Sequence, residues 1–235
     1  MAATNSTYGG RRKILEEYYA ALHAHFGPSD WWPAKSPFEV ALGAILTQNT
    51  NWSNVEKALA ALDAATGLVP DAVAALAVSE LELLIRPAGF FRQKSRKIQN
   101  FLELLEAHGG LGSGTEDAAL TCFAAVETET LREKLLAVSG IGPETADCIL
   151  LYALDRPSFV VDAYTRRMFH RHGLVPETVD YHELREFFMD ALPPDATLYN
   201  EYHALIVRTG KEYCRKTKPR CDLCPLGSQL EYAPD

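Results

Sequence analysis

The sequence has no long hydrophobic run. No stretch of apolar residues reaches the roughly 18 residues that a helix needs to cross a bilayer. Residues 1–10 lack the charged-then-apolar pattern of a signal peptide, so we expect neither export nor membrane association. Only five residues are cysteine, and three of these lie near the C-terminus. This odd and uneven set argues against a disulfide framework and favours a cytoplasmic protein that could bind a metal.

The sequence also lacks the period-two alternation that is typical of strands. Residues 159–161 form a strand-like run that is too short to build a sheet. Apolar residues instead recur at three- and four-residue spacing, with breaks such as Gly27-Pro28. The pattern predicts an all-α fold. The helical segments that we expect are roughly 10–26, 36–47, 52–66, 70–77, 79–86, 90–108, 127–138, 143–154, 163–172, 181–191 and 197–214.

Positive charge is scarce overall, because 31 acidic residues outnumber 23 basic ones and give a net charge of −8. Taken alone, this balance argues weakly against nucleic acid as a partner, since phosphate contacts need clustered lysine and arginine. Two segments nevertheless concentrate basic residues. Segment 87–97 carries four basic residues and no acid, and segment 208–220 carries six against Glu212. Because local charge governs contact, the net charge does not exclude an anionic partner.

Two glycines interrupt the most informative stretch, residues 131–154. An amphipathic helix ends near Gly140, Ile141 is an apolar anchor, and Pro143 begins the next helix after Gly142. Glycine at both positions leaves the backbone amides open to close approach. Together with the following helix N-terminus, these amides can bind a phosphate oxygen. An ordinary helical hairpin with a glycine turn explains the segment equally well.

A carboxylate, Asp162, follows the hairpin by about twenty residues, at the start of the predicted helix 163–172. Aspartate often fills this position simply as an N-cap. The functional interpretation is an acid at the mouth of a cleft. Residues 155–167 alone leave both interpretations open.

In combination, these residues resemble a known family. The stretch Leu-Ala-Val-Ser-Gly-Ile-Gly-Pro-Glu-Thr-Ala-Asp at 136–147, followed by Val-Val-Asp at 160–162, is similar to the helix-hairpin-helix DNA glycosylases of the endonuclease III superfamily. The resemblance covers nearly the whole chain. It implies that Gly140 and Gly142 hold a DNA phosphate and that Asp162 is the essential acid.

The resemblance also implies a domain organisation. Residues 33–155 are expected to form a six-helix barrel that contains the hairpin. Residues 10–32 and 156–235 are expected to form a second helical domain with the cysteine loop at 214–224. DNA is expected to cross the cleft between them, with the target nucleotide flipped out of the duplex.

Further matches supply candidate DNA contacts. Gln48, in Ala-Ile-Leu-Thr-Gln-Asn-Thr, resembles the residue that fills the hole left by the extruded nucleotide, and Phe90 resembles the apolar wedge in the base stack. The alternatives are a hydrogen-bonding residue at a helix end for Gln48 and a core aromatic for Phe90. Arg166 and Lys211 are further candidates for DNA contact.

The hairpin departs from the bifunctional members of the family. In those enzymes a lysine two residues after the second hairpin glycine forms a Schiff base with the sugar, and Glu144 stands at that position here. A carboxylate cannot form an imine, so we expect a monofunctional glycosylase in which Asp162 assists water or stabilises the cation-like sugar. Glu144 is interpreted either as a base-pocket residue or as an acid favourably placed in a first helical turn.

Three tryptophans bear on the substrate. Trp31, Trp32 and Trp52 lie in segments expected to flank a base pocket. Stacking aromatics favour cationic purines, and an alkylated purine such as 3-methyladenine already carries positive charge. Trp-Trp-Pro and Gln-Asn-Thr, without the hairpin lysine, resemble the 3-methyladenine glycosylase branch of the superfamily. The alternative is that the tryptophans pack the interface between the domains.

The cysteine loop lacks one expected ligand. Cys214, Cys221 and Cys224 resemble the iron–sulfur loop of the superfamily, whose fourth cysteine would stand at Leu230. Leucine cannot bind iron. The options are a non-cysteine fourth ligand, a three-iron cluster, no stable cluster or, less favoured, zinc. Nearby oxygen ligands are Glu231, Tyr232 and Asp235. We expect a labile 4Fe-4S cluster that shapes the basic loop at 215–220.

The expected partner is double-stranded DNA that contains a damaged base. We expect the chain to act as a monomer, associated with the nucleoid if its source is bacterial. Two other functions stay open: a glycosylase for oxidised pyrimidine, uracil or mismatched thymine, and a non-catalytic protein that binds damaged DNA. The glycine hairpin together with Asp162 disfavours a pure protein-interaction module.

Overall fold

The chain folds into α-helices, as the sequence predicts. The computed structural model describes residues 8–29, 31–32, 34–112 and 119–230, and these contain no strand. The helices are α1 (Tyr8–Phe26), α2 (Pro37–Leu46), α3 (Trp52–Thr66), α4 (Pro70–Ala74), α5 (Val78–Leu84), α6 (Phe91–Ala107), α7 (Thr128–Ala137), α8 (Pro143–Cys148), α9 (Ala163–Arg171), α10 (Tyr181–Met189) and α11 (Ala196–Glu212). None of them is both long and apolar enough to span a membrane.

Local sequence signals set several helix ends. Ser36 caps α2 by accepting a hydrogen bond from the Glu39 amide, and Pro37 fills the first helical position. Asn51 caps α3 in the same way, and the helix ends at Gly67 in the left-handed conformation. These ends lie within a residue or two of the predicted boundaries because the hydrogen bonds that make them are local.

The chain divides into two compact units. The hairpin unit is Trp32–Arg156, and the terminal unit combines Met1–Trp31 with Pro157–Asp235. In the hairpin unit α2 is the central helix. Eight of its ten residues are buried, and it packs against α3, α6 and α8. A helix that is apolar on nearly every face, as α2 is apart from Glu39, is buried in the core in this way.

The terminal unit is built around aromatic side chains. Phe159 stacks on Phe188 with ring centroids 4.0 Å apart, and Tyr199 and Tyr202 pack edge-on against Phe159. All four residues are fully buried. In this unit α11 packs against both α1 and α9, so the start of α9 is held by a rigid core.

The predicted helix 143–154 changes form part-way. The α-helix ends at Cys148, and a π-helix continues over Ile149–Ala153. A π-helix inserts an extra residue into the turn and occurs often at functional sites. Here it carries Tyr152, which contacts Trp32. The spacing of apolar residues did not predict this change.

Candidate active site

Asp162 is the N-cap of α9. Its Oδ1 atom accepts hydrogen bonds from the Thr165 amide at 2.8 Å and from the Thr165 hydroxyl at 2.9 Å. Asp162 therefore caps the helix, as one of the two interpretations of the sequence predicts. Capping uses only Oδ1, however, and the second oxygen of the carboxylate faces another group.

That group is His203 of α11. His203 Nε2 lies 3.7 Å from Asp162 Oδ2, and the two side chains are only 6% and 13% exposed. Burial acts to raise the pKa of the Asp162 carboxyl. The facing imidazole and the hydrogen bonds from Thr165 outweigh burial and hold this pKa below its usual range. Asp162 is therefore an ionised, nearly buried carboxylate at neutral pH.

The hairpin turn has the open backbone that its glycines suggest. Gly140 has a positive φ of 96°, and a Cβ atom on Gly142 would meet only open space. In the described part of the chain, the amides of Gly140 and Gly142 donate to no backbone carbonyl. Ile141 is buried beneath the turn. The turn therefore offers two unused donors on an exposed surface.

A buried ion pair fixes the two helices of the hairpin. Arg132 of α7 donates from Nε and Nη2 to the two oxygens of Asp147 in α8, at 2.8 and 3.0 Å. The side chains are 9% and 0% exposed. A bidentate contact between a planar guanidinium and a carboxylate sets orientation as well as distance. Sequence analysis did not identify this pair.

Gln48 lies just after α2 and contacts the hairpin. Its Nε2 atom donates to Thr145 Oγ1 at 2.9 Å and to the Gly140 carbonyl at 3.2 Å, while its Oε1 atom accepts from Lys97 Nζ. Both ends of the amide are thus occupied within the hairpin unit. The role of Gln48 in the gap of a duplex remains a prediction.

Phe90 is exposed at the N-terminus of α6. Its side chain is 61% exposed, and its φ of 45° places a non-glycine residue in the left-handed region. A buried core role is therefore wrong for this residue. A protruding aromatic on strained backbone is the form that an apolar wedge would take.

Two of the three tryptophans come together in the hairpin unit. The Trp32 ring lies 5.0 Å from Trp52, edge to face, and 5.3 Å from Tyr152. Gly43 of the central helix leaves room for the Trp32 ring, because a Cβ there would lie 3.1 Å from Cζ2. The sequence did not single out Tyr152, which the π-helix places in this aromatic cluster.

The aromatic cluster borders a groove of about 230 Å³. Three carboxylates and one ammonium line it. Lys35 Nζ pairs with Asp63 at 2.5 Å, while Glu39 and Glu56 supply the other two carboxylates. The charge of the lining is therefore negative, which favours a cationic ligand.

The other predicted contact residues are distributed over both units. Trp31 belongs to the terminal unit, where Lys211 Nζ lies 5.7 Å from its ring centroid. Arg166 is exposed in the first turn of α9. Glu144 is exposed in the first turn of α8, where an acid complements the helix dipole.

Cys214, Cys221 and Cys224 line one pocket in the terminal unit. Leu230 lines the same pocket, at the place where the family pattern has its fourth cysteine. Arg171 Nη1 lies 3.4 Å from the Cys214 sulfur, and burial raises the pKa of the Cys221 and Cys224 thiols. The remaining lining residues are Met168, His172 and Tyr213.

Three cysteines line the pocket, and cysteine thiolates are the usual protein ligands of an iron–sulfur cluster. Among the described residues, no group of three or more histidine, cysteine, aspartate or glutamate side chains is arranged to hold a single metal ion. The iron–sulfur cluster and the zinc alternative both stay predictions. The oxygen ligands considered at 231–235 lie outside the described residues.

An all-α fold with a glycine hairpin and a downstream helix-capping carboxylate is typical of helix-hairpin-helix proteins. A family model, described as HhH-GPD superfamily base excision DNA repair protein, matches residues 42–194. The chain belongs to this superfamily of base excision DNA glycosylases.

Individual relatives agree with this assignment. The chain is 45% identical over 214 residues to a protein of Methanocaldococcus jannaschii that is provisionally named a DNA repair glycosylase, covering 91% of this chain and 94% of that one. It is 26% identical to an endonuclease III of Sulfolobus acidocaldarius, with 94% and 93% covered.

Solved structures show the same fold. An endonuclease III in a non-covalent DNA complex superposes with a TM-score of 0.76 at 22% identity, covering 94% of this chain and 95% of that chain. The 3-methyladenine DNA glycosylase of H. pylori, bound to 1,N6-ethenoadenine, superposes with a TM-score of 0.68 at 28% identity, covering 86% and 97%.

Proposed function

We propose that this glycosylase is monofunctional and hydrolyses the N-glycosidic bond of a flipped, alkylated purine such as 3-methyladenine. The observation that carries the proposal is the geometry of Asp162. One oxygen of the carboxylate is fixed by Thr165 and the other faces His203, so that the group stays ionised although it is nearly buried. A fixed negative charge in a site of low exposure is suited to stabilise a cation-like sugar.

The reaction needs no covalent amine. The bond between C1′ and the base nitrogen breaks, the base leaves with the electron pair, and positive charge develops on the sugar. A water oxygen then adds to C1′ and loses a proton, which the carboxylate can accept. Glu144 stands where bifunctional relatives carry their lysine, so the imine route has no nucleophile at this position.

The proposed substrate class rests on the aromatic cluster and on one relative. Trp32 and Trp52 line a groove whose charged side chains carry a net negative charge, and Tyr152 contacts Trp32. The aromatic rings and the negative charge of the lining both favour binding of a base that already carries positive charge. Such a base is also activated as a leaving group. The H. pylori enzyme is named for 3-methyladenine, and it is similar to this chain over most of its length.

The duplex contacts follow the same proposal. The amides of Gly140 and Gly142 bind a phosphate oxygen, Phe90 enters the base stack, and Gln48 occupies the gap. Arg166 and Lys211 supply charge for the DNA backbone. Gly140, Gly142, Phe90 and Gln48 belong to the hairpin unit, and Arg166, Lys211 and Asp162 belong to the terminal unit.

The three cysteines are proposed to hold a labile 4Fe-4S cluster with a non-cysteine fourth ligand. A cluster held by these cysteines would order the loop, and base release would depend only on protein side chains and water. Arg167 donates from Nε to the Cys214 carbonyl at 2.7 Å, and this contact holds the base of the loop in the protein alone. The loop at 215–220 then presents its basic residues to DNA.

The test is a panel of duplexes, each with one lesion: 3-methyladenine, 7-methylguanine, 1,N6-ethenoadenine, uracil, thymine opposite guanine, and an oxidised pyrimidine. Single-turnover release of each base is measured. The proposal expects release of the methylated purines with little release of the pyrimidines. Preferential release of uracil, thymine or oxidised pyrimidine would assign the other specificity. Tight binding to an abasic-site analogue with no release from any duplex would indicate a non-catalytic damage-binding protein.

A further inference from the structure

The helix α6 braces the hairpin turn along one edge. Asn100 donates from Nδ2 to the Ser139 carbonyl at 2.9 Å, and Lys97, three residues earlier, lies on the same face. The methylene stem of Lys97 crosses the turn at Gly140, where a Cβ atom would overlap Lys97 Cγ and lie 2.9 Å from Cδ. Gly140 is therefore required for the passage of this side chain as well as for its own positive φ.

The ammonium group of Lys97 is held but not neutralised. It donates to Gln48 Oε1, which is a neutral carbonyl oxygen. Within the described residues, no carboxylate lies within ion-pair distance of Lys97. Lys94, on the same face of α6, adds a second positive charge nearby and donates to the Leu46 and Ala88 carbonyls. A cation without a counter-ion is thus fixed beside a turn that has two unused amides.

Gln48 holds this cation through one end of its side-chain amide and is itself anchored to the hairpin through the other end. Its Nε2 atom is anchored to Thr145 and to the Gly140 carbonyl, so that its Oε1 atom has a defined direction. Lysine has a long and flexible stem that loses entropy when its charge must be placed. Because Gln48 Oε1 already holds the Lys97 ammonium at the turn, part of this entropy is lost before DNA binds, and the binding step costs less.

We propose that Lys97 binds the DNA phosphate held by the hairpin amides, and that Gln48 is the positioning residue that holds the Lys97 ammonium over Gly140. The inference rests on the DNA binding of the proposed function, but on neither its substrate class nor its chemistry. It gives Gln48 a role before any nucleotide is flipped, in addition to the gap-filling role.

The experiment measures binding to an undamaged duplex, by fluorescence anisotropy, as a function of salt concentration. The variants are Lys97→Met, Gln48→Met and the double variant. Each phosphate contact contributes about 0.9 to the slope of log K against log salt. Lys97→Met is expected to lower this slope by about 0.9, so that its affinity deficit shrinks about 3.5-fold between 50 and 200 mM salt. Gln48→Met is expected to lower the slope in the same direction and to add nothing in the Lys97→Met background.

Two controls separate the proposal from simpler effects. Lys57→Met removes the same charge from an exposed position on α3 of the same unit and is expected to leave the slope unchanged. Lys97→Arg keeps a cation, so this variant is expected to retain most of the slope and to test the role of charge even if Lys97→Met folds poorly.

The proposal is overturned by an unchanged slope for Lys97→Met or by equal losses for Lys57→Met and Lys97→Met. Additive losses in the double variant, or a Gln48→Met variant whose slope equals that of the parent protein, contradict the positioning role. Because the duplex is undamaged and no base is released, these results are independent of whether the chain excises alkylated purines.

Discussion

His203 Nε2 lies 3.7 Å from Asp162 Oδ2, while Thr165 occupies the other oxygen of the same carboxylate. Two functions are therefore divided between the two oxygens of one side chain. Oδ1 completes the N-terminus of α9, and Oδ2 is set against a histidine in a site of low exposure. A variant that keeps the helix cap but loses the negative charge can therefore separate the role of Asp162 in folding from its role in the reaction.

Asp162→Asn is expected to abolish base release and to leave DNA binding nearly unchanged. Asparagine caps helices as well as aspartate does, so the α9 terminus is retained while the negative charge is lost. Single-turnover base release and anisotropy titration are measured on the same duplex. The matched control is Asp195→Asn, which alters the corresponding cap of α11 and should keep activity. Turnover retained by Asp162→Asn would overturn the assignment of the acid.

His203→Gln is expected to move the acid limb of kcat/KM to higher pH. Burial acts to raise the pKa of the Asp162 carboxyl, and removal of His203 takes away the largest opposing influence. In the parent protein, the ionised carboxylate stabilises the folded state at pH values above about 3.9, which is the pKa of an aspartate in the unfolded chain. This stabilisation is lost as the pH falls through the lower pKa that Asp162 has in the folded protein. A pH–rate profile compares the variant with His182→Gln, an exposed histidine of the same unit. An unshifted acid limb would refute the coupling.

Borohydride reduction during turnover is expected to trap no covalent adduct between the protein and DNA. The position of the family lysine is occupied by Glu144, which cannot form an imine with the sugar. Denaturing gel electrophoresis detects the adduct, and an endonuclease III that has the lysine serves as the positive control. A trapped adduct would mean that another amine performs the lyase step.

Arg132→Met is expected to lower the free energy of unfolding by about 3–5 kcal/mol, because it removes the guanidinium that forms the buried ion pair with the carboxylate of Asp147. Chemical denaturation measures the loss. The exposed pair Arg12–Glu16, at 2.8 Å, provides the control, and Arg12→Met should cost less than about 1 kcal/mol. Similar losses in the two variants would show that the buried pair does not stabilise the hairpin.

Protein prepared without oxygen is expected to contain iron and inorganic sulfide, and to lose both faster in air than an enzyme with four cysteine ligands. Cys221→Ser should abolish the cluster, since only two thiolates would remain. Cys122→Ser, in the hairpin unit, should leave it intact. Iron and sulfide analysis with visible absorption spectroscopy provides the readout. Absence of iron from anaerobic protein, or zinc in its place, would contradict the proposed cluster.

Much of the fold was predictable because its signals are local. The caps at Ser36 and Asn51 and the glycine break at Gly67 act within one helical turn of the residues that they affect. The π-helix at Ile149–Ala153 was not predicted. Apolar spacing does not distinguish it from a continued α-helix, and the π-helix packs against both α2 and α8. Its consequence, the contact of Tyr152 with Trp32, was missed for the same reason.

The sequence by itself determined which chemical groups are present: the glycine turn with its free amides, Asp162 at a helix start, glutamate in place of lysine at position 144, and three cysteines with a leucine where a fourth is expected. Only the tertiary structure decided the partners of these groups. His203 reaches Asp162, Lys97 and Gln48 reach Gly140, and Arg132 reaches Asp147 because packed helices bring distant segments together. Caps and turns depend on hydrogen bonds within a few residues. The charge state and direction of a side chain depend on burial and on neighbours that only the folded core supplies.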